Sequence, residues 1–318
     1  MKETTIVTAF FDIGRGDFNI VRCEPRSVQK YMDYFDFWAR IKNTVIVYTQ
    51  SEYAERIKSI RAKYGREKET IVIEIDNIFS VEKDIFSKML SIEKNADFHN
   101  FRYWDEEVSN RADYDYIMLM KYWCMNDAFA KGLLKADVCW FDFGFNHGGE
   151  KFLHADEFDF YIESKIESSK INLFYLPRKW NPDTVHAGLA LQYQFDTIAG
   201  PVIIMPCVLC KSLWEMTKAA MLSLISLDCI DDDQQLLLMS YHLHPELFEL
   251  YEADWFLPLK KYLGGEHLTV RPPTAEQKKS LVRKVLGKIK RTFFKKKQSH
   301  KKDYQKRIWE LSSQWYSS

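Results

Sequence analysis

Residues 228–238 read Asp-Cys-Ile-Asp-Asp-Asp-Gln-Gln-Leu-Leu-Leu, placing four carboxylates just ahead of an apolar run. Acidic side chains cap a helix start and complement its positive end, which accounts for one or two of them. Like charges this close raise one another's pKa and repel unless a cation or a chemical task holds them. Asp232 and Asp233 are therefore candidates for a chemical task. A further carboxylate, Asp142, stands where the apolar run Val138-Cys139-Trp140-Phe141 stops. Ligands of open α/β sheets bind outside the carboxyl ends of strands, so Asp142 stands where chemistry is usually done. Behind it Gly144, Asn146, His147, Gly148 and Gly149 form a polar loop. Near the start, a β-branched and aromatic run over residues 4–11 leads into Asp12-Ile13-Gly14-Arg15-Gly16. Glycines let a backbone approach phosphates and Arg15 could pair with one. A surface turn carrying an arginine fits equally well, and the G-x-G-x-x-G dinucleotide fingerprint is absent.

The elements that must position these residues follow from hydrophobic period. Strands are predicted over residues 4–11, 43–49, 70–76, 138–141, 171–176 and 197–206, and helices over 26–40, 51–64, 114–128, 211–227 and from 234 onward, with residues 77–113 helical as well. The opening βαβαβ rhythm predicts a doubly wound sheet with right-handed crossovers. Lys121 falls within the central helix, and Asp76 ends the third strand, where a solvated carboxylate is the plain reading. His186 and Gly188 lie in the loop before the strand that carries Gly200.

The segments TAFFDIGRG, WFDFGF, DTIAGPVIIMP and DDDQQLLL together resemble the HtrL/YibB-like family, over roughly residues 4–270. Its bacterial members are associated with lipopolysaccharide and other surface-glycan genes. The central stretch also resembles the nucleotide-sugar core of GT-A-type glycosyltransferases. The resemblance implies an α/β, GT-A-like catalytic domain over residues 1–277 with a Rossmann-like mixed, mainly parallel sheet flanked by helices. It implies a UDP-sugar donor, UDP-galactose in either ring form being the first candidate, near Thr8, Phe10, Asp12, Arg15, Asp76, Lys121, Asp142 and Gly144. It further implies Mn²⁺ or Mg²⁺ on Asp142. Gly144 stands where the family's second metal-binding Asp belongs, so Asn146 or His147 would complete that site. Asp232 or Asp233 would be the base of an inverting transfer, with His186 and Gly200 on the acceptor side. A non-catalytic surface-glycan assembly protein and a metal-dependent phosphohydrolase are the alternatives; a dehydrogenase lacks its fingerprint.

Composition sets further limits. The 318 residues are 46% hydrophobic and 28% charged, as in a globular protein. No apolar run approaches the roughly 18 residues of a spanning helix, and the first residues do not read as a secretion signal. Six cysteines, Cys207 and Cys210 among them, are expected to be reduced thiols in the cytosol. The CxxC spacing alone supplies half of a zinc site.

Net charge is zero, yet residues 278–307 hold fourteen Lys or Arg against Asp303, while residues 1–277 hold 31 basic and 43 acidic residues. Leu281, Val282, Val285, Leu286, Ile289 and Phe293 share one face of a helix drawn through this tail, residues 278–318. A basic amphipathic helix of this kind lies in the headgroup plane. The expectation is a peripheral protein on the inner face of the inner membrane, beside a lipid-linked glycan acceptor. Nucleic acid is disfavoured as a partner, because the acidic body would repel a polyanion.

Overall fold

Alternation along the first strand decides the layering. In β1 (Thr4–Phe10) Val7 faces one side while Ile6 and Phe10 face the other, and all three are buried. A strand buried on both faces needs a helical layer on each. The computed structural model describes residues 4–18, 25–103, 110–167, 169–177 and 180–272 and supplies both layers.

After β1 come α1 (Val28–Trp38), β2 (Val45–Thr49), α2 (Ser51–Ala62), β3 (Thr70–Glu74), α3 (Lys83–Glu93) and α4 (Ala96–Phe101). Next are α5 (Ala112–Ala130), β4 (Asp137–Phe141), β5 (Ile171–Tyr175), α6 (Ala187–Tyr193) and β6 (Ile198–Pro206). The series ends with α7 (Cys210–Ser226), α8 (Asp233–Leu243), β7 (Phe248–Glu252) and α9 (Pro258–Tyr262). The seven strands form one sheet in the order β3-β2-β1-β4-β6-β5-β7. Neighbours are parallel except β6, which runs antiparallel to both β4 and β5. The mixed, mainly parallel α/β sheet flanked by helices is as the sequence predicts.

Side chains of α3, α5, α7 and α8 pack with Val7, Ile46, Val138 and Trp140 on one face. Those of α1 and α2 pack with Ile6, Val45, Cys139 and Phe141 on the other. Helix α5 is enclosed nearly all round, including at Lys121, which is only 4% exposed. That enclosure puts an ammonium group beneath the carboxyl edge of the sheet.

Strand β7 and the short helices α6 and α9 depart from the sequence reading. Strand β7 was not expected: its alternating Phe-Glu-Leu-Tyr-Glu is half polar because it lies at the sheet's edge, parallel to β5. Helix α6 occupies what reads as loop. The basic tail over 278–318 lies outside the described residues, as does Cys23. The other five cysteines are buried free thiols, Cys207 and Cys210 included. Among the described residues no helix is long and apolar enough to cross a membrane.

Candidate active site

Strands β1, β2 and β3 step one way across the sheet and β4 lies on β1's other side, so the order reverses between β1 and β4. Ligands of doubly wound sheets bind at that switch point, outside the strands' carboxyl ends. A cleft of roughly 430 Å³ opens there, within the usual size of a ligand site. Asp12 at the end of β1 and Asp142 at the end of β4 line it, with Lys121 of α5, Gly200 of β6 and Asp232 and Asp233 at the head of α8. Five segments distant in sequence thus converge on one cavity.

One wall is acidic. The Lys121 ammonium lies 2.6 Å from Asp233 Oδ2 and 3.0 Å from Asp142 Oδ1. Burial opposes its charge, but Asp142 and Asp233 more than restore it, and its pKa is raised. Asp142 Oδ1 also accepts from Trp140 Nε1 at 2.7 Å. Gly200 gives Asp233 its room: a Cβ there would come 1.8 Å from Asp233 Oδ2. Asp232 is the N-cap of α8, its Oδ1 accepting from Gln234 N at 3.1 Å. Burial, then the charges of Asp231 and Asp233, push the Asp232 carboxyl well above the usual range. Asp231 points away from the cleft and pairs with buried Arg102 at 3.0 Å. Asp228 forms a turn at φ +53° and does not line the cavity. The acidic run is therefore divided among a cap, two buried ion pairs and a turn.

Basic and aromatic side chains line the same cavity. Asp12 Oδ1 accepts from Gly14 N at 2.9 Å, bending the chain through Gly14 at φ +73° and presenting Arg15. Arg15 Nη1 donates to Tyr31 Oη at 2.8 Å, and its guanidinium lies over the Tyr114 ring at 5.1 Å. Arg26, Tyr31, Trp255 and Phe256 also face the cavity. The sequence reading passed over all four. Arg26 was legible as a second cation flanking the same Gly-rich loop, just before Ser27 caps α1.

Several expected site residues have other roles. Asn146 is fully buried, and its amide closes the loop behind Asp142. Its Oδ1 accepts from Lys151 N and Phe152 N at 2.8 Å, and its Nδ2 donates to Phe152 O at 3.0 Å. No lone pair is left for a metal, which corrects that expectation. His147 does line the cleft, but its Nδ1 is bonded to Glu150 Oε2 at 2.6 Å. Asp76 lies outside the cavity and accepts from Ser51 N at the start of α2. His186 is likewise outside it, capping α6 by accepting from Gly188 N at 3.1 Å. Thr8 is buried within β1 and does not reach the cavity, whereas Phe10 lines it.

A divalent metal does not fit this set of side chains. Among the described residues no three His, Cys, Asp or Glu groups gather as a metal would require. Asp142 shares an oxygen with an ammonium, and a Cβ at Gly144 would meet the Tyr31 ring at 3.2 Å, so that ring would have to give way to a larger residue there.

Comparison with known proteins bears on this geometry at family level. The family model described as "Bacterial protein of unknown function (HtrL_YibB)" matches residues 2–262. The chain belongs to that family. It is 29% identical to Protein HtrL of Escherichia coli (strain K12) over 277 residues, 80% of this chain and 90% of that protein. Among solved structures it is similar to mouse xyloside xylosyltransferase 1 in its apo form, at 12% identity and a TM-score of 0.39, covering 79% of this chain and 85% of that one. The family match spans every wall of the cleft, from Asp12 to Phe256.

Proposed function

We propose that the chain is an inverting glycosyltransferase, moving a hexose from a UDP-sugar to a glycan acceptor. The observation that carries this reading is the cleft at the switch point, whose lining holds Arg15 and Arg26 together with Asp232. An inverting transfer needs both. The acceptor oxygen attacks the anomeric carbon, its proton passes to a base, and the bond to the diphosphate breaks with negative charge gathering on the departing phosphate oxygen. A base works best with a pKa near the operating pH, and burial lifts Asp232 toward it. Asp233 is less suited, since Lys121 holds its Oδ2 and its back rests against Gly200. Aromatic walls from Tyr31, Trp140, Trp255 and Phe256 offer stacking surfaces and help exclude water, which would otherwise hydrolyse the donor.

The test is acceptor-dependent release of UDP from a panel of UDP-sugars, UDP-galactose first. Free phosphate from simple phosphate esters, with no sugar transfer, would replace this reading with a phosphohydrolase. The proposal extends to a lipid-linked acceptor reached from the cytoplasmic face of the inner membrane, held through the basic residues of 278–307. Full-length protein should float with anionic vesicles at low salt, and a chain ending at Glu276 should not. Equal behaviour of the two would end the membrane part alone.

A further inference from the structure

We propose that the cation facing the donor's diphosphate is part of the chain: the Arg15 and Arg26 guanidiniums take the role a divalent metal would otherwise fill. This rests on the glycosyl-transfer reading and goes beyond it by naming what stabilises the leaving group.

The carboxylates of Asp233 and Asp142 already have a cation. Lys121 is their counter-ion, at 2.6 and 3.0 Å, and Trp140 adds a donor to Asp142. A second cation brought to Asp142 would be repelled by that ammonium. Two residues on, the ring of Tyr31 lies against Gly144, where a second carboxylate would have to stand. The same tyrosine presents its hydroxyl to Arg15 Nη1 at 2.8 Å. The residue that fills the space of a metal ligand is thus the one that aims a guanidinium into the cleft.

The two arginines are built as a pair. Arg26 N donates to Arg15 O at 3.2 Å, tying their backbones together across the loop. Both side chains line the cavity half-buried, and neither has a carboxylate within ion-pair distance among the described residues. Arg15 is held by the hydroxyl of Tyr31 and the ring of Tyr114. Burial works against the charge of Arg26, but Tyr31, with Tyr34 and Tyr114, outweighs it. Glu150, whose pKa the charge of Arg26 helps to lower, is bonded to His147 instead. Two unneutralised guanidiniums in a cleft whose ammonium is already engaged form a site for a polyanion. Planar guanidinium forks match phosphate oxygens in bidentate fashion. Because they are fixed before the bond to the anomeric carbon breaks, they stabilise the charge that gathers on the β-phosphate without reorganising.

Calorimetric titration of the full-length protein with UDP, and separately with inorganic pyrophosphate, tests this in EDTA and in MnCl₂. UDP and pyrophosphate are expected to bind in EDTA, with Mn²⁺ changing either affinity by less than about threefold, below half a tenfold step in free energy. Arg15→Ala and Arg26→Ala should each weaken both ligands by about 10- to 100-fold, as for loss of a charge-assisted contact. Arg15→Lys and Arg26→Lys guard against loss of fold; they keep the charge but lose the fork, and should fall between wild type and alanine. Binding of UDP only when Mn²⁺ is present, with the arginine variants unaffected, would overturn the inference and leave the glycosyl-transfer reading standing. Binding of pyrophosphate through the arginines without any binding of UDP or a UDP-sugar would do the reverse. Failure of both ligands in both conditions would remove the two together.

Discussion

Arg102 and Lys121 are two buried cations holding neighbouring carboxylates of one acidic run, and they do different work. Arg102 grips Asp231 at 3.0 Å and also donates to Leu191 O and, at 2.5 Å, to Ile230 O. It is 3% exposed and does not line the cleft, so it fastens the chain leading into α8 to α4 and α6. Lys121 is as deeply buried, but its partners are Asp233 and Asp142, and Asp142 opens to the cleft with its side chain 31% exposed. Burial and pairing alone do not mark a functional group. What separates the two is whether the second carboxylate reaches a cavity.

Breaking each pair in turn should separate them most widely. Arg102→Leu leaves Asp231 uncompensated in the interior, which typically costs about 3–5 kcal/mol. The midpoint of denaturant unfolding should fall accordingly, while the molecules that remain folded keep their turnover. Lys121→Met should lower that midpoint less, because Asp142 is open to water and Asp233 is relieved by taking a proton, yet it should abolish most transfer activity. If both variants lost stability and activity in the same proportion, the distinction between the pairs would be false.

Gly200→Ala sharpens the comparison from the other side of Asp233. The added Cβ would come 1.8 Å from Asp233 Oδ2, so the carboxylate must leave Lys121. Overpacking of this kind costs about 1–3 kcal/mol, and turnover should fall at least about tenfold, as when a reacting group is misplaced. Unchanged kinetics would mean that the position of Asp233 is irrelevant to the chemistry.

Asp115 supplies a pH-dependent case. It is fully buried in the first turn of α5, and neither carboxyl oxygen has a hydrogen-bond partner among the described residues. Burial, then the charges of Asp231 and Asp232, raise its pKa well above the usual value, against Arg102. The folded state therefore binds a proton more tightly than the unfolded chain, so this group's contribution to stability is present below about pH 4 and is lost as pH rises toward the raised value. Asp115→Asn removes that loss. Its stability relative to wild type should increase from pH 4 to pH 7, read as the difference in unfolding midpoints; a difference independent of pH would show that Asp115 does not titrate in this way. The smallest effect is expected at Asp76, on the sheet edge away from the cleft. Asp76→Asn should leave donor affinity and turnover unchanged, and a lowered affinity would place the nucleoside there after all.

These pairs show where sequence was informative. Asp142 and Asp12 were legible because apolar strands end abruptly in carboxylates, and the head of α8 because acids precede an apolar helix. The Arg15 loop was legible from its two glycines. Which cation meets which acid was not legible: Arg102 lies 129 positions from Asp231, and Lys121 lies 112 from Asp233. Only the crossing of α5 beneath the sheet decides that. Asn146 was misread as a ligand because a loop amide behind a strand-end Asp has the right chemistry. Nothing local signals that three backbone groups of residues 151 and 152 use it up. Strand β7 escaped notice because an edge strand shows half its residues to solvent.

The most direct test of glycosyl transfer is a side-by-side measurement of donor affinity and kcat for wild type and Asp232→Asn. If Asp232 takes the acceptor's proton, donor affinity should stay within about threefold of wild type while kcat falls by roughly 10²–10⁴-fold. In the wild type, kcat should rise with pH along an acid limb lying above the ordinary carboxylate range, since the base must first lose its proton. Retained turnover in Asp232→Asn, with the same acid limb, would contradict the account and leave Asp232 as no more than the cap of α8.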